Sequence, residues 1–523
     1  MSALLVAVAF MALGISWSFA SPPGSTNDEE YHLANIWCAW GEWEGCQFND
    51  PSRPEVATGE LQGPVWIPEF LRSVNCYQRG TQSTDCLRDK GSELVNSYRQ
   101  GYGYNPSAYY QVMRAVVGSN DRTALQMVRL FNVTLTAAVL ALAVFVSRSS
   151  VRRGLILAWG VASIPWLVIY ASSSNPSAWV IAGTGTAWAF TLALLDRTNS
   201  RGYRFAALGG LALASVIVLS ARFDGVAWLL LSISAAIALG VGRARFRIPI
   251  WAIGGWIALT VVGAMTAFYF NWQRLGFSNF SFSNLRLPEW NRATDQPFPL
   301  LKDLLETPWW FTSFFGSQPP QWVPSNGEPQ SLKDGFVPLA LTTNLGDMFF
   351  PSIVGIFLFV VPALIVFACV PRYRTRHWLI LFGLVLILLS LVYLFRLRNG
   401  FGPTNALQNR YFLPWLLIFL AASLTVGGQR RPLLSRGQAI VVASLLVVGG
   451  SLAWLAFASR YAVNLSGTFT NFGQEPVWWW PWGPSRLVWF AIASLVTLMW
   501  AIVTLRYAAR PTKDLEQSRS TPG

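Results

Sequence analysis

Long apolar runs alternate with short polar segments along most of the chain. A helix needs about 20 mainly apolar residues to cross about 30 Å of hydrocarbon. Helices are expected because hydrocarbon offers no hydrogen-bond partner to open backbone groups. The pattern therefore predicts an all-α polytopic membrane protein with about twelve transmembrane helices. The runs are 3–20, 126–147, 154–172, 177–195, 204–221, 225–241, 250–270, 350–370, 377–396, 410–427, 438–458 and 486–507.

The arginines predict the orientation of these helices. An excess of arginine and lysine marks the cytoplasmic side of short connections. Basic clusters occupy every second connection and the C-terminal tail, at 148–153, 197–204, 243–247, 372–376, 430–436 and 506–513. All of them fall on one side if both termini are cytoplasmic. We therefore expect a multi-pass protein of the cytoplasmic membrane, with both termini inside and an extracytoplasmic active face.

The same pattern divides the chain into alternating membrane and loop regions. We expect a first helix at 1–20, a large extracytoplasmic loop at 21–125, helices 2–7 at 126–270, a second outer loop at 271–349, helices 8–12 at 350–507 and a cytoplasmic tail at 508–523. Ser18-Phe19-Ala20 loosely resembles a signal-peptide cleavage site. The first run lacks a basic start and is long enough to span, which favours a retained helix.

The composition is typical of a membrane protein and argues against nucleic acid as a partner. The chain of 523 residues is 53% hydrophobic and 12% charged, whereas soluble domains carry about 25% charged residues. The net charge of +14 would suggest nucleic acid in a soluble protein. Here the arginines stand where topology requires them, so we expect the lipid bilayer and no nucleic acid as a partner.

Four of the five cysteines, Cys38, Cys46, Cys76 and Cys86, lie in the first predicted outer loop. An even set in an exported loop indicates disulfides. Four cysteines allow three pairings, and the local ones, Cys38–Cys46 and Cys76–Cys86, are favoured. The alternative is four free buried thiols.

Ionisable and polar side chains gather at the predicted outer ends of the helices. They are Asp28, Glu29, Glu30 and His32 after the first run, Tyr109 and Tyr110 before the second, Asn175 before the fourth, Arg222 before the sixth, Arg398 after the ninth, and Gln408, Arg410 and Tyr411 at the tenth. Charges at helix ends either reach water or line a site. If the bundle brings these ends together, carboxylates face a cationic pocket at membrane level.

That combination suits transfer of a sugar from a lipid phosphate. Arginine binds phosphate through a planar fork that is always charged. A carboxylate can act as general base toward an acceptor hydroxyl, or hold a divalent metal such as Mg²⁺ or Mn²⁺ near the leaving phosphate. The chain contains neither G-x-G-x-x-G nor G-x-x-x-x-G-K-[ST], the nucleotide-binding motifs.

Simpler explanations exist for each residue. The acids can be a helix N-cap region, with Thr26 or Asn27 as the cap and Glu30 as its reciprocal partner. Arg222 can form a turn salt bridge with Asp224, and Arg398 can anchor a helix at the interface. His32 can be an incidental loop residue.

Four short motifs resemble a known bacterial membrane family, domain of unknown function 2142 (DUF2142). Pro22-Pro23-Gly24 with Asp28-Glu29 and His32 resembles the family's "P…DE..H" opening. Asn105-Pro106 with Tyr109-Tyr110 resembles "NPPLYY", and Ser174-Asn175-Pro176 resembles "S.NP". Residues 408–414 resemble "QGRYFLP", with Asn409 in place of glycine. The similarity extends from residue 1 to about residue 460.

That resemblance implies a GT-C-like bundle, because the family is grouped with glycosyltransferases that use polyprenyl-phosphate sugars. It implies Asp28 or Glu29 as catalytic base or metal ligand, and a glycan or lipid acceptor in the cell envelope. We expect Glu30, His32, Tyr109, Tyr110, Asn175, Arg222, Arg398, Gln408, Arg410 and Tyr411 to bind substrate. Two other functions remain open at this point: a transporter or flippase of lipid-linked glycan, and a non-catalytic protein of envelope assembly.

Overall fold

The computed structural model describes residues 2–26, 28–48, 65–72, 84–87, 90–97, 107–241, 343–345, 348–350, 352–399, 411–426, 432–462 and 485–509. Within these ranges the chain is mainly helical. Its α-helices are α1 (Ser2–Ala20), α2 (Glu29–Trp37), α3 (Glu69–Arg72), α4 (Ser107–Val117), α5 (Asp121–Val146), α6 (Ser149–Ala162), α7 (Val168–Ala171), α8 (Ser177–Leu195), α9 (Arg201–Ala221), α10 (Gly225–Gly240), α11 (Ser352–Cys369), α12 (Thr375–Asn399), α13 (Leu413–Leu424), α14 (Arg436–Ala462) and α15 (Arg486–Ala508).

Seven membrane spans are long and apolar enough to cross a bilayer among the described residues. They are α1, α5, the α6–α7 unit, α8, α9, and segments of α14 and α15. Eleven of the twelve predicted runs coincide with helices, some of them shorter, and the run at 250–270 lies outside the described residues. The chain is thus a membrane protein with several apolar helices, and the total of twelve stays a prediction.

The helices are arranged around a buried centre. The apolar window of the α6–α7 unit is 100% buried and that of α8 is 89% buried, whereas that of α9 is only 33% buried. The outer faces remain apolar, as at Phe205 and Val216 of α9 and Phe382 of α12, all of which are exposed. An apolar exposed face is expected where lipid, rather than water, surrounds a helix.

Small residues allow the central helices to approach closely. A Cβ atom at Gly183 of α8 would lie 2.6 Å from the carbonyl oxygen of Ala214 and 2.4 Å from Cγ2 of Val218, both on α9. Membrane helices associate through such close contacts, because lipid removes the hydrophobic driving force between them. At the centre, Phe10 of α1 packs edge-on against Trp159 and Trp500, with ring centroids 5.7 and 5.6 Å away.

One predicted helix is interrupted. The run at 154–172 forms α6, a π-helical turn at Ser163–Leu167 and α7. Ile164 leaves helical geometry within that turn, directly before Pro165. Proline has no N–H to donate and clashes with the preceding turn, so it bends a helix that hydropathy alone shows as continuous.

Short strands modify the all-α prediction. Among the described residues, β1 (Gln47–Phe48), β2 (Val65–Pro68) and β3 (Leu94–Ser97) form an antiparallel sheet in the order β1-β2-β3. A second antiparallel pair joins β4 (Thr343–Leu345) to β5 (Met348–Phe350). These strands fall in the two long predicted loops, where apolar periodicity gives little signal.

The predicted disulfide Cys38–Cys46 is present, with an S–S distance of 1.99 Å. Cys86 is also disulfide-bonded. Cys76 lies outside the described residues, so the pair Cys76–Cys86 stays a prediction. Cys369, the free thiol of the described residues, is buried at the end of α11.

The two ends of the bundle differ in chemistry. At one end the last turn of α1 meets α5, where Gln126 and Arg129 donate to the carbonyl of Ser18. At the other end, Arg148 bonds Asn199, and Arg372 donates to the carbonyl of Pro432. Predicted basic connections thus meet at the end opposite the acidic motif, and which end faces the cytoplasm stays a prediction.

Candidate functional site

A fully buried ion pair stands at the centre of the acidic end. Glu29 is the first residue of α2, and Arg129 lies two turns into α5. Both side chains are 0% exposed, and Nη2 of Arg129 lies 2.7 Å from Oε2 of Glu29. Nε of Arg129 donates to Oε1 at 3.2 Å. This is the bidentate geometry in which arginine and carboxylate bind most strongly.

Two backbone amides also donate hydrogen bonds to the carboxylate of Glu29. The N–H of Gly24 donates to Oε2 at 2.9 Å, and the N–H of Ser174 donates to Oε1 at 3.0 Å. With the two bonds from Arg129, Glu29 accepts four hydrogen bonds, about the full capacity of a carboxylate. Glu29 therefore connects the loop after α1, helix α5 and the loop before α8.

Arg129 likewise uses all of its donors. Besides Glu29, it donates through Nη1 to the carbonyls of Ser18 and Ser21 and through Nη2 to that of Pro22. Carbonyls at a helix C-terminus have no partner within the helix. Arg129 satisfies that of Ser18 in α1, and its bonds to Ser21 and Pro22 fix the direction in which the chain leaves that helix.

The loop before α8 is held by a buried polar network. Oη of Tyr109 donates to the carbonyl of Ser174 at 2.8 Å, and Nδ2 of Asn132 donates to the carbonyl of Ser173 at 2.7 Å. Nε1 of Trp179 donates to Oδ1 of Asn132 at 2.9 Å. Burial raises the pKa of Tyr109; the bond from Asn132 lowers it, and the nearby charge of Glu29 raises it further. Tyr109 therefore remains protonated at neutral pH.

Asn175 lies two residues before α8, whose N-cap position is Pro176. Its Oδ1 accepts from the N–H of Ser177 at 2.9 Å, and its side chain is completely buried. An asparagine in this position satisfies an amide that the helix leaves open. Asn175 thus supports the turn that leads into α8, and its predicted contact with substrate stays a prediction.

His32 and Tyr110 pack against each other beside the Glu29–Arg129 pair and the network of Tyr109. Nδ1 of His32 lies 3.0 Å from Oη of Tyr110, and the two rings stack with centroids 6.1 Å apart. Both residues are buried. One turn of α2 separates His32 from Glu29, so the same face of this short helix carries both side chains.

Asp28 has an unusual backbone. It precedes α2 with φ 60° and ψ 16°, the left-handed conformation, which among the described residues with side chains occurs here alone. Asparagine and aspartate tolerate this region better than other residues, yet it costs energy and concentrates at functional sites. The side chain is partly exposed and makes no capping hydrogen bond.

The simpler explanation of the acids as an N-cap region therefore agrees with the structure only in part. Asp28, rather than Thr26, holds the cap position, and Thr26 contributes its carbonyl to the N–H of Glu29. Asn27 lies outside the described residues. Glu30 lies partly exposed in the first turn of α2.

A second group of predicted residues meets at the same end. Arg222 bonds Asp224 through Nε at 2.8 Å and through Nη2 at 3.1 Å. Its guanidinium lies 4.8 Å from the ring centroid of Tyr411. The turn salt bridge is present, and the structure brings together two motifs nearly 190 residues apart in the chain.

Helix α8 connects the two groups. Asn175, just before its start, belongs to the first group. Val180, just over one turn further, lies against the α9–α10 turn, because a Cβ at Gly225 would be 3.4 Å from Cγ2 of Val180. Arg398 lies in the last turn of α12. Gln408 and Arg410 are outside the described residues, so their place in the site stays a prediction.

Sequence reasoning missed Arg129 and Asn132. Both stand inside the apolar run 126–147, and both are completely buried. Charged or strongly polar residues within a membrane helix are rare and commonly functional or paired. This rule, applied to the interiors of the runs as well as to their ends, would have found them.

The residues present do not fit a metal bound by Glu29. Its oxygens already accept four hydrogen bonds, two of them from a guanidinium that would repel a cation. In the described ranges no group of three or more His, Cys, Asp or Glu side chains could hold a metal ion. We therefore derive no step through a metal.

Comparison with known proteins gives one family and no individual relative. No curated protein and no solved structure matches the chain. The family model described as "Predicted membrane protein (DUF2142)" matches residues 11–420, about four fifths of the chain and all four motifs from Pro22 to Pro414. The chain belongs to the DUF2142 family of membrane proteins.

Proposed function

We propose that this protein is a GT-C-type inverting glycosyltransferase. It moves a sugar from a polyprenyl-phosphate donor to a glycan or lipid acceptor of the cell envelope, on the extracytoplasmic side. The observation that carries the proposal is Asp28, a partly exposed carboxylate in a left-handed backbone conformation, directly beside the saturated Glu29–Arg129 pair.

Asp28 and Glu29 have different roles in this proposal. Glu29 is committed to Arg129 and to two backbone amides, and it positions the loops around the site. A base must reach the proton of an acceptor hydroxyl, and of the two carboxylates only Asp28 retains exposed surface. We therefore assign the catalytic base to Asp28.

The reaction is a single displacement. Asp28 accepts the proton of an acceptor hydroxyl, whose oxygen attacks the anomeric carbon of the donor sugar. The bond between that carbon and the phosphate oxygen breaks, and the lipid phosphate leaves with the electron pair. The configuration at the anomeric carbon inverts because attack and departure occur on opposite faces.

The leaving phosphate requires cationic groups. Asp224 and Tyr411 orient Arg222. Burial lowers the pKa of Arg222, but the negative charge of Asp224 and the hydrogen bonds to Asp224 and Tyr411 raise it above its ordinary value. Arg398 at the end of α12, and Arg410 just before the described start of α13, are the further candidates on the predicted outer side. Arginine forks match phosphate oxygens in charge and geometry.

The test compares wild type with Asp28→Asn in membranes supplied with radiolabelled polyprenyl-phosphate sugars. Loss of a general base lowers the rate by about 10²–10⁴-fold, so we expect transfer to fall in that range at equal protein levels. Glu93→Gln, which removes an exposed carboxylate of the same loop region, is the control and should transfer normally.

Two outcomes contradict the proposal. If wild type transfers no label from any donor, the protein is not a glycosyltransferase of this class, and the flippase or assembly functions become the better explanations. If Asp28→Asn transfers as well as Glu93→Gln, the acidic motif is structural and another residue serves as base.

A further inference from the structure

Three tryptophans surround one arginine near the acidic end. The guanidinium carbon of Arg114, on α4, lies 4.4 Å from the ring centroid of Trp43, 5.4 Å from that of Trp37 and 5.6 Å from that of Trp40. A guanidinium within about 6 Å of a ring centroid is attracted to the face of that ring. We call Trp37, Trp40, Trp43 and Arg114 the tryptophan platform.

The chain is built to hold this platform rigidly. The disulfide Cys38–Cys46 closes the loop that carries Trp40 and Trp43. Nε1 of Trp37 donates to the carbonyl of Gly45 at 2.7 Å, and Nε1 of Trp43 donates to the carbonyl of Trp37 at 3.2 Å. A Cβ atom at Gly45 would meet the ring of Trp43 at 2.6 Å, so only glycine permits this packing.

One ring of the platform is open to its surroundings. Trp40 is 64% exposed, whereas Trp37 is buried. Arg114 lies over the Trp40 ring, and most of that residue remains exposed. The disulfide-braced loop thus presents a large aromatic ring at the surface of the protein.

The surroundings of Trp40 favour a polar ligand over hydrocarbon. Glu42 and Glu44 are both exposed on the same short loop. Carboxylates are disfavoured at a surface that enters lipid. Carboxylates do accept hydrogen bonds from sugar hydroxyls. An aromatic ring beside them can pack on the C–H face of the same pyranose.

The platform also lies close enough to Asp28 for one extended acceptor to reach both. Helix α2 carries Asp28 at its start and Trp37 at its end, nine residues apart, which is roughly 13 Å along a helix. Helix α4 runs beside it, with Tyr110 against His32 and Arg114 against Trp37. A short chain of linked pyranose rings covers that separation.

We propose that the tryptophan platform is a carbohydrate-binding subsite that holds the glycan acceptor, with one pyranose ring stacked on Trp40. The acceptor role rests on the proposed function, but binding of carbohydrate does not require transfer. The ligand class is an oligosaccharide, free or attached to a larger envelope polymer.

The experiment measures binding of soluble oligosaccharides to the full-length protein in lipid nanodiscs by saturation-transfer difference NMR. The probes are maltohexaose, mannohexaose and chitohexaose, added without donor. We expect saturable binding of at least one probe, and a loss of affinity of about tenfold or more in Trp40→Ala, as for a tryptophan that dominates an interface. Trp378→Ala, at a similarly exposed tryptophan (52%) on α12, should bind like wild type.

Trp40→Phe separates loss of stacking from loss of folding, because it retains an aromatic ring. We expect it to bind more weakly than wild type but better than Trp40→Ala. The inference is overturned if no probe binds, if Trp40→Ala binds like wild type, or if Trp40→Phe and Trp40→Ala are equally inert. It is also overturned if brominated lipid quenches the fluorescence that Trp40→Phe removes, since Trp40 would then lie in the bilayer.

Failure of the subsite can be distinguished from failure of the proposed function. If wild type binds an oligosaccharide but transfers no sugar, the subsite stands and the transferase proposal falls. If Asp28→Asn loses transfer while no probe binds to either protein, the transferase stands and the platform is not its acceptor site.

Discussion

At the scale of single residues, Glu29 determines the geometry of the acidic end. A carboxylate buried without a partner would be strongly disfavoured, and here one guanidinium and two amides supply that partner. Removal of one member of such a pair leaves the other charge buried and uncompensated. The importance of this pair to stability can therefore be measured separately from catalysis.

We expect Glu29→Gln and Arg129→Met each to lower the free energy of unfolding by about 3–5 kcal/mol. The readout is thermal stability of purified protein in nanodiscs. Lys90→Met breaks a pair with Glu69 in which both side chains are 32% exposed, and should cost at most about 1 kcal/mol. Equal effects of the buried and exposed pairs would contradict the structural role.

Because Tyr109 is buried, we expect the folded protein to lose stability at alkaline pH. Burial raises its pKa in the folded protein above the ordinary value of 10.0. The unfolded chain then releases this proton first, so stability decreases as the pH rises above about 10. Tyr109→Phe removes that contribution, and its melting temperature should depend less on pH in this range. Parallel melting curves above pH 10 would exclude Tyr109 as the cause.

At the scale of elements, the packing of α8 against α9 positions both parts of the site. The close approach occurs at Gly183, whose backbone faces Ala214 and Val218. Asn175 accepts a hydrogen bond from the first N–H of α8, and the turn that bears Arg222 follows α9. A shift between these helices would therefore separate the acidic cluster from the cationic one.

Gly183→Ala should destabilise the protein by about 1–3 kcal/mol, because the added methyl group overlaps the backbone of α9. Gly209→Ala is the matched control: it lies within α9, and nothing lies within 4 Å of its added Cβ. That change should be neutral or stabilising by up to about 1 kcal/mol. Thermal melting compares the two, and a harmless Gly183→Ala would show that the helices are less closely packed.

At the scale of the whole molecule, the bundle separates two chemistries. Arg148 and Arg372 lie at one end, and the Glu29–Arg129 pair lies at the other. Helix α5 runs between them, with Arg129 near its start and Arg148 just after its end. The predicted orientation, with the basic end in the cytoplasm and the acidic end outside, stays to be tested.

Labelling of single introduced cysteines in intact cells tests that orientation. Ser119→Cys, in the exposed turn before α5, should react with a membrane-impermeant maleimide without permeabilisation. Gly202→Cys, exposed at the start of α9, should react only after permeabilisation, and the native Cys369 is buried. The reverse pattern would place the acidic end in the cytoplasm and contradict the proposed function.

The apolar runs determined much of the fold by themselves. Eleven of twelve runs coincide with helices, because a membrane helix must satisfy its own backbone and cover itself with apolar side chains, and both demands are local. The family was also readable in short motifs, and the local pairing Cys38–Cys46 followed from proximity in the chain.

Other features were decided only by tertiary structure. The partners of Glu29 come from residues 24, 129 and 174, and Arg222 contacts Tyr411, nearly 190 residues further along the chain. Which charge is buried and which remains exposed depends on how helices pack, a non-local property that periodicity does not encode. For that reason sequence reasoning could name Asp28 and Glu29 together, while only the packed bundle shows that Glu29 is buried in an ion pair and that Asp28 is partly exposed.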